Sequence, residues 1–201
     1  MGLDEVRKVL DPHHARIATV IHEAFAEWRS IENFRISSGH GPTLYDRTKS
    51  NDVFDAIARR AIPRFGVEER VSVDVDAQTF RLRFNGLVLR IKKGDDDGLG
   101  QNWPTQKVLA FIEADGVLPG LPPETAKIEV VWKPNEIWTA VENIYVTARD
   151  GDIVLWKYEI RQALPSAEIF QFPKPLQPTG DQPATGLIRR KSNTDEASKE
   201  V

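Results

Sequence analysis

No cysteine occurs among the 201 residues. Disulfides, thiol nucleophiles, iron–sulfur clusters and Cys-rich zinc frameworks are therefore excluded, and the composition is compatible with a reducing compartment. Histidine is scarce: His13, His14, His22 and His40 are the whole supply. Ala26 stands four residues after His22, where a zinc protease helix needs a second imidazole. His14 and His22 are two helical turns apart, too far to share one ion. His40, between two glycines, is freest to reach a ligand, but one imidazole is no metal site. Neither a metal nor a cofactor is implied.

An excess of one charge sign is also missing. Lys plus Arg number 27 against 30 Asp plus Glu, a net −3, so no global field gathers the chain onto nucleic acid or an anionic membrane. No run approaches the 18 apolar residues of a membrane span. The opening residues, MGLDEVRKVL, lack the apolar stretch of an export signal, and Val6 stands where a myristoylation signal needs Ser or Thr. The expected setting is cytoplasmic, with no membrane association. Nucleophile elbow, Walker loop and dinucleotide fingerprint are all absent. Asp95-Asp96-Asp97-Gly98 begins like a calcium loop, but Leu99 and Gln106 fall where oxygen ligands are required.

What is present is a core. Hydrophobic residues make up 40% of the chain, enough for one domain. Ile17, Val20, Ile21, Ala24, Phe25, Trp28 and Ile31 recur at steps of three and four, which predicts a helix near 12–34 with Asp11 as N-cap and Pro12 at its first position. A polar connection through Asp46-Arg47-Thr48-Lys49 leads to a second helix near 51–62, ended by Pro63 and Gly66. Residues 70–93 alternate apolar and polar in three runs, a three-stranded meander. Asn85-Gly86 is a strong type I′ hairpin signal, since both central residues of that turn need positive φ. It sets residue 84 opposite 87, 82 opposite 89 and 81 opposite 90; a turn at Ala77-Gln78 sets 80 opposite 75, 81 opposite 74 and 82 opposite 73. Val71, Val73, Val75, Phe80, Leu82, Phe84, Leu87, Leu89 and Ile91 then share one face, while Ser72, Asp74, Asp76, Arg81, Arg83, Arg90 and Lys92 share the other. A short helix near 104–114, an irregular Pro/Gly stretch at 116–123 and three further strands near 127–133, 137–148 and 152–161 follow. The two three-strand blocks can be halves of one sheet.

The expected fold class is α+β, with two N-terminal helices packed on an antiparallel sheet of about six strands. Residues 1–165 form the domain and 166–201 a proline-rich linker and charged tail, with 173–201 expected to be disordered.

The polar face of the meander is the candidate surface. Arg81, Arg83, Arg90, Lys92 and Lys93 place five cations within thirteen residues, against Asp74 and Asp76 opposite. Such a face can grip phosphates or an acidic protein segment. Its bland reading is a solvated ladder of Asp74, Arg81 and Arg90 with no function. Arg189, Arg190 and Lys191 form a second basic element in the tail, suited to a partner protein or nucleic acid. The expected function is a non-enzymatic binding or regulatory protein engaging an anionic or protein partner, of the inhibitor, antitoxin or immunity type. One alternative is a nucleic-acid-binding protein or Mg-dependent nuclease, with Asp74, Asp76 and Glu129 converging on the ion and Lys92 near the phosphate. Another is a structural subunit of an oligomer.

Overall fold

A computed structural model describes residues 1–161 apart from 78, 96, 102–104 and 114. The candidate residues of the tail, Arg189, Arg190 and Lys191, lie outside the described residues, as does the expected disorder there. Helix α1 (Leu3–Leu10) and a 3₁₀ turn (Asp11–His13) lead into α2 (His14–Ser37) and then α3 (Asp46–Gly66). Six strands follow in one sheet: β1 (Ser72–Asp76), β2 (Thr79–Phe84), β3 (Leu87–Lys93), β4 (Ala126–Pro134), β5 (Val141–Asp150) and β6 (Ile153–Glu159). Their spatial order is their chain order, and α4 (Gln106–Ile112) lies between β3 and β4 in sequence. The described residues belong to one unit, Met1–Ala163. No helix among them is long and apolar enough to cross a membrane.

The α+β expectation holds, and so does the register of the meander. Val75 pairs with Phe80, Asp74 with Arg81 and Val73 with Leu82; Leu82 pairs with Leu89 and Phe84 with Leu87. Gly86 has φ +71° but Asn85 does not have positive φ, so the hairpin keeps the expected register without the expected type I′ turn, which needs positive φ at both residues. Phe80, Leu82, Phe84, Leu87, Leu89 and Ile91 are buried on the face that meets α1, α2 and α3. Val75, expected on that face, is 65% exposed on edge strand β1.

Several local expectations need correction. Asp11 is no N-cap: its φ and ψ of −50° and −42° are helical, whereas a cap leaves the helical region. It closes α1, a helix too short for periodicity to mark, whose buried stripe is Val6 and Leu10. The second helix starts earlier, at Asp46, and carries Pro63 inside its last turn. A proline there forfeits one hydrogen bond near a terminus, which packing offsets: Ala61 and Phe65 on either side of it are fully buried. Trp138 lies in the β4–β5 turn rather than in a strand, with φ +55°. Its ring is held among Phe25, Trp28 and Trp132.

Both three-strand blocks are antiparallel within themselves, yet β3 and β4 pair in parallel, with Arg90 beside Glu129 and Ile91 beside Val130. Parallel neighbours need a crossover. Residues 94–125 supply it and carry α4 to the sheet face opposite the three N-terminal helices, where Val88, Phe111 and Leu118 form a second small core.

Candidate anion pocket

The crossover turns the expected open polar face into a concave one. A pocket of about 330 Å³ lies between the β1–β2 turn, β3 and α4. Arg81, Arg90 and Lys92 line it from the sheet and Lys107 from α4, with Asp76, Thr79 and Thr105 as polar neighbours and Val108 and Phe111 as apolar wall. Three of the five cations singled out from sequence are thus brought together. Lys107 joins them, a residue no local pattern marks, because only the crossover places α4 there.

Each cation is held differently. Arg90 is 5% exposed; its Nη2 donates to Glu129 Oε1 at 2.8 Å and its guanidinium stacks 3.9 Å from the Phe111 ring centre. Glu129 is 1% exposed, accepts from Arg149 at 3.3 Å and from the Gly100 amide at 3.1 Å, and so binds two guanidiniums at once. Lys107 Nζ donates to Asp76 Oδ2 at 2.9 Å, and Arg81 lies 3.8 Å from the same oxygen. The Lys107 hydrogen bond, the Ala77 amide and Arg81 hold the Asp76 carboxyl below the usual carboxylate range. Arg81 Nε is buried without a hydrogen-bond partner. Among the described residues Lys92 makes neither hydrogen bond nor ion pair; its Nζ lies 5.6 Å from the Phe54 ring centre. Burial first, and then the charge of Arg90, hold its ammonium below the ordinary lysine value, against the pull of Glu129.

The other candidate cations of the sheet lie apart from the pocket. Arg83 is not in the pocket: its Nη2 bonds Asp74 Oδ1 at 2.5 Å, a diagonal pair that replaces the expected Asp74–Arg81 contact. Lys93 faces a second, more open pocket of about 670 Å³, where it donates to Gln101 and sits 5.6 Å from the Trp138 ring centre. The bland solvated ladder is also wrong, since Arg90 is buried under α4. Asp74, Asp76 and Glu129 do not converge; each is taken by different cations, and no group of three acids or histidines among the described residues could hold a metal ion. His13 and His14 are partly buried, beside Phe84 and Tyr158 respectively.

The crossover is pinned to the sheet on both sides of α4. The Gly94–Gly100 loop lies on β4, and a Cβ on Gly94 would come within 2.0 Å of Val131 Cγ1. Thr147 Oγ1 donates to Gly98 O at 3.0 Å and Arg149 Nη1 to Gly100 O at 3.2 Å. Thr105 caps α4 by accepting from the Val108 amide. Lys127 of β4 holds the other end: its Nζ donates to the carbonyls of Ala110, Glu113 and Gly116. That ammonium sits where the helix dipole is negative, and it ties the carbonyl of Ala110 in the last turn to those of Glu113 and Gly116 just beyond it. Comparison of the chain with protein-family models, characterised proteins and solved structures gives no match in any of the three.

Proposed function

We propose that the protein is a binding protein for a small anionic ligand, a phosphate or carboxylate compound, taken up in the pocket between β1–β3 and α4. The observation that carries this reading is the convergence of Arg81, Arg90, Lys92 and Lys107 on one concavity where, among the described residues, Asp76 is the one lining carboxylate. Like charges at this density cost stability unless an anion joins them. Cations in a partly desolvated pocket also bind an anion more strongly than cations on an open face. The volume lies at the small end of ligand sites, about 300–1,000 Å³. A buried Arg90 and a helix lid suit a discrete ligand better than a nucleic-acid backbone, which needs a continuous basic track.

Isothermal titration with inorganic phosphate and with organic phosphates and carboxylates tests this at about 50 and 200 mM salt. Binding is expected to weaken with salt, and Arg81→Ala to lower affinity by roughly tenfold, the effect of one charged hydrogen bond. No binding at the lower salt, or binding that Arg81→Ala leaves untouched, contradicts the reading. Labelled single- and double-stranded nucleic acid is titrated in parallel; tight binding there that ignores the pocket residues also contradicts it.

A further inference from the structure

Lys92 stands out in this pocket because it is the cation with the least to hold it. Arg90 is clamped by Glu129 and Phe111, Lys107 by Asp76, and Arg81 lies against Asp76. Among the described residues Lys92 Nζ has the Phe54 ring 5.6 Å away and no hydrogen-bonded carboxylate, Glu129 acting on it only through space, and its stem is half-buried on β3 beside Arg90. An ammonium partly out of water, beside Arg90 and with no carboxylate in hydrogen-bond contact, gives up its proton more readily than an exposed one, the more distant pull of Glu129 notwithstanding. The free amine so produced is a nucleophile, and a cationic, desolvated pocket is one setting in which lysines attack carbonyl groups.

We propose that Lys92 captures the carbonyl group of a small anionic ligand, an oxo acid or a phosphorylated aldehyde, as a reversible imine. This rests on the anion-binding reading and names the ligand class for it. Arg81 and Lys107 hold the carboxylate or phosphate. The neutral amine of Lys92 attacks the carbonyl carbon, a C–N bond forms, and the carbinolamine loses water made from the carbonyl oxygen and the two amine hydrogens. The product is a C=N bond to Nζ, and water returning along the same path releases the ligand. Nothing is oxidised or reduced. A capture step of this kind uses no acid–base dyad, in keeping with a site whose acids are all committed to cations.

The test is reductive trapping on the full chain. Glyoxylate, as an oxo acid, and pyridoxal 5′-phosphate, as a phosphorylated aldehyde, are each incubated with the protein and cyanoborohydride, and the modified lysines are located by peptide mass mapping. Lys92 is expected to be labelled at least about tenfold above exposed lysines such as Lys8, because the held anion raises the effective concentration of the carbonyl. Inorganic phosphate is expected to suppress that labelling, and Arg81→Ala to reduce it. Lys92→Arg is expected to abolish the preferred adduct, with its melting temperature recorded to show that it folds. The two probes separate a carboxylate from a phosphate ligand, and preference for either fits. Phosphate binding by the wild-type protein without preferred labelling of Lys92 overturns the imine and leaves the anion pocket standing. Preferred labelling of Lys92 that neither phosphate nor Arg81→Ala reduces overturns the anionic ligand class. Uniform labelling with no phosphate binding overturns both.

Discussion

At the scale of the residue, Glu129 decides whether the pocket has a floor. It is almost fully buried between Arg90 and Arg149, and the Gly100 amide points at its second oxygen. Removing one partner of a buried ion pair strands the other charge out of water. Glu129→Gln is therefore expected to cost about 3–5 kcal/mol in urea unfolding; a loss below about 1 kcal/mol contradicts the role given to it. In the sequence Glu129 is a lone acid in the apolar run Ile128–Trp132, and Arg90 a lone cation in the run Leu87–Ile91. Each pattern marks a buried charge. Neither says that the two are partners, because that follows only from the parallel register of β3 and β4.

The histidines give a second expectation at this scale. Burial lowers the affinity of His13, His14 and His22 for a proton below that of an ordinary imidazole at 6.5. The unfolded chain then takes up protons first as pH falls through 6.5, so stability falls from there towards the lower folded values. Glu27, Asp46 and Asp76, held low chiefly by hydrogen bonds from Arg60, Lys49 and Lys107, lose their contribution separately, as pH falls below their ordinary values near 4. Melting temperature against pH is expected to slope downward in both windows. Replacing His13 and His22 by Gln is expected to flatten the upper window and leave the lower one in place. An unchanged upper slope contradicts the assignment.

At the scale of the element, α4 is a seven-residue helix that cannot stand on propensity alone. Its Thr105 cap, the Phe111 contact with Arg90 and the three-carbonyl grip of Lys127 keep it over the sheet. Lys127→Met is expected to lose about 1–3 kcal/mol from these charged hydrogen bonds. Amide exchange is expected to quicken at Leu109–Glu113 and phosphate affinity to fall, since Lys107 and Phe111 both ride on this helix. Unchanged exchange there contradicts the clamp. Elements with local causes are those legible in the sequence. Alternation and Asn85-Gly86 suffice for the meander and its register, and the stripe from Ile17 to Trp28 suffices for most of α2. Helix α1 escapes because its stripe is only two turns long. Trp138 escapes because an aromatic is a strand former by propensity, yet Asn135 bonds the amides of Thr139 and Ala140 and folds the chain into a turn there.

At the scale of the whole molecule, the pocket arises from how two antiparallel trios are joined. A hairpin between β3 and β4 would have left the basic face open to water. The parallel join instead sends residues 94–125 across that face, buries Arg90, brings Lys107 to Arg81 and Lys92, and makes a pocket from a surface. Arg81, Arg90 and Lys92 were legible in the sequence; Lys107 and the enclosure were not, because both depend on contacts far apart along the chain. The same join separates Arg83 and Lys93 from the others, the first to Asp74 and the second towards Trp138. The ion pairs of Glu23 and Glu27 with Arg59, Arg60 and Arg64 tie α2 to α3 on the far side, so the helical layer keeps its own charge balance.

The most direct measurement is a titration of the isotope-labelled protein with inorganic phosphate, followed by two-dimensional amide NMR. Saturable shifts are expected at Asp76–Ala77, Thr79–Arg81, Arg90–Lys92 and Thr105–Val108, with the far ends of α2 and α3 silent, and Arg81→Ala is expected to weaken them. Shifts that do not saturate, or that centre on any other part of the molecule, contradict an anion pocket under α4.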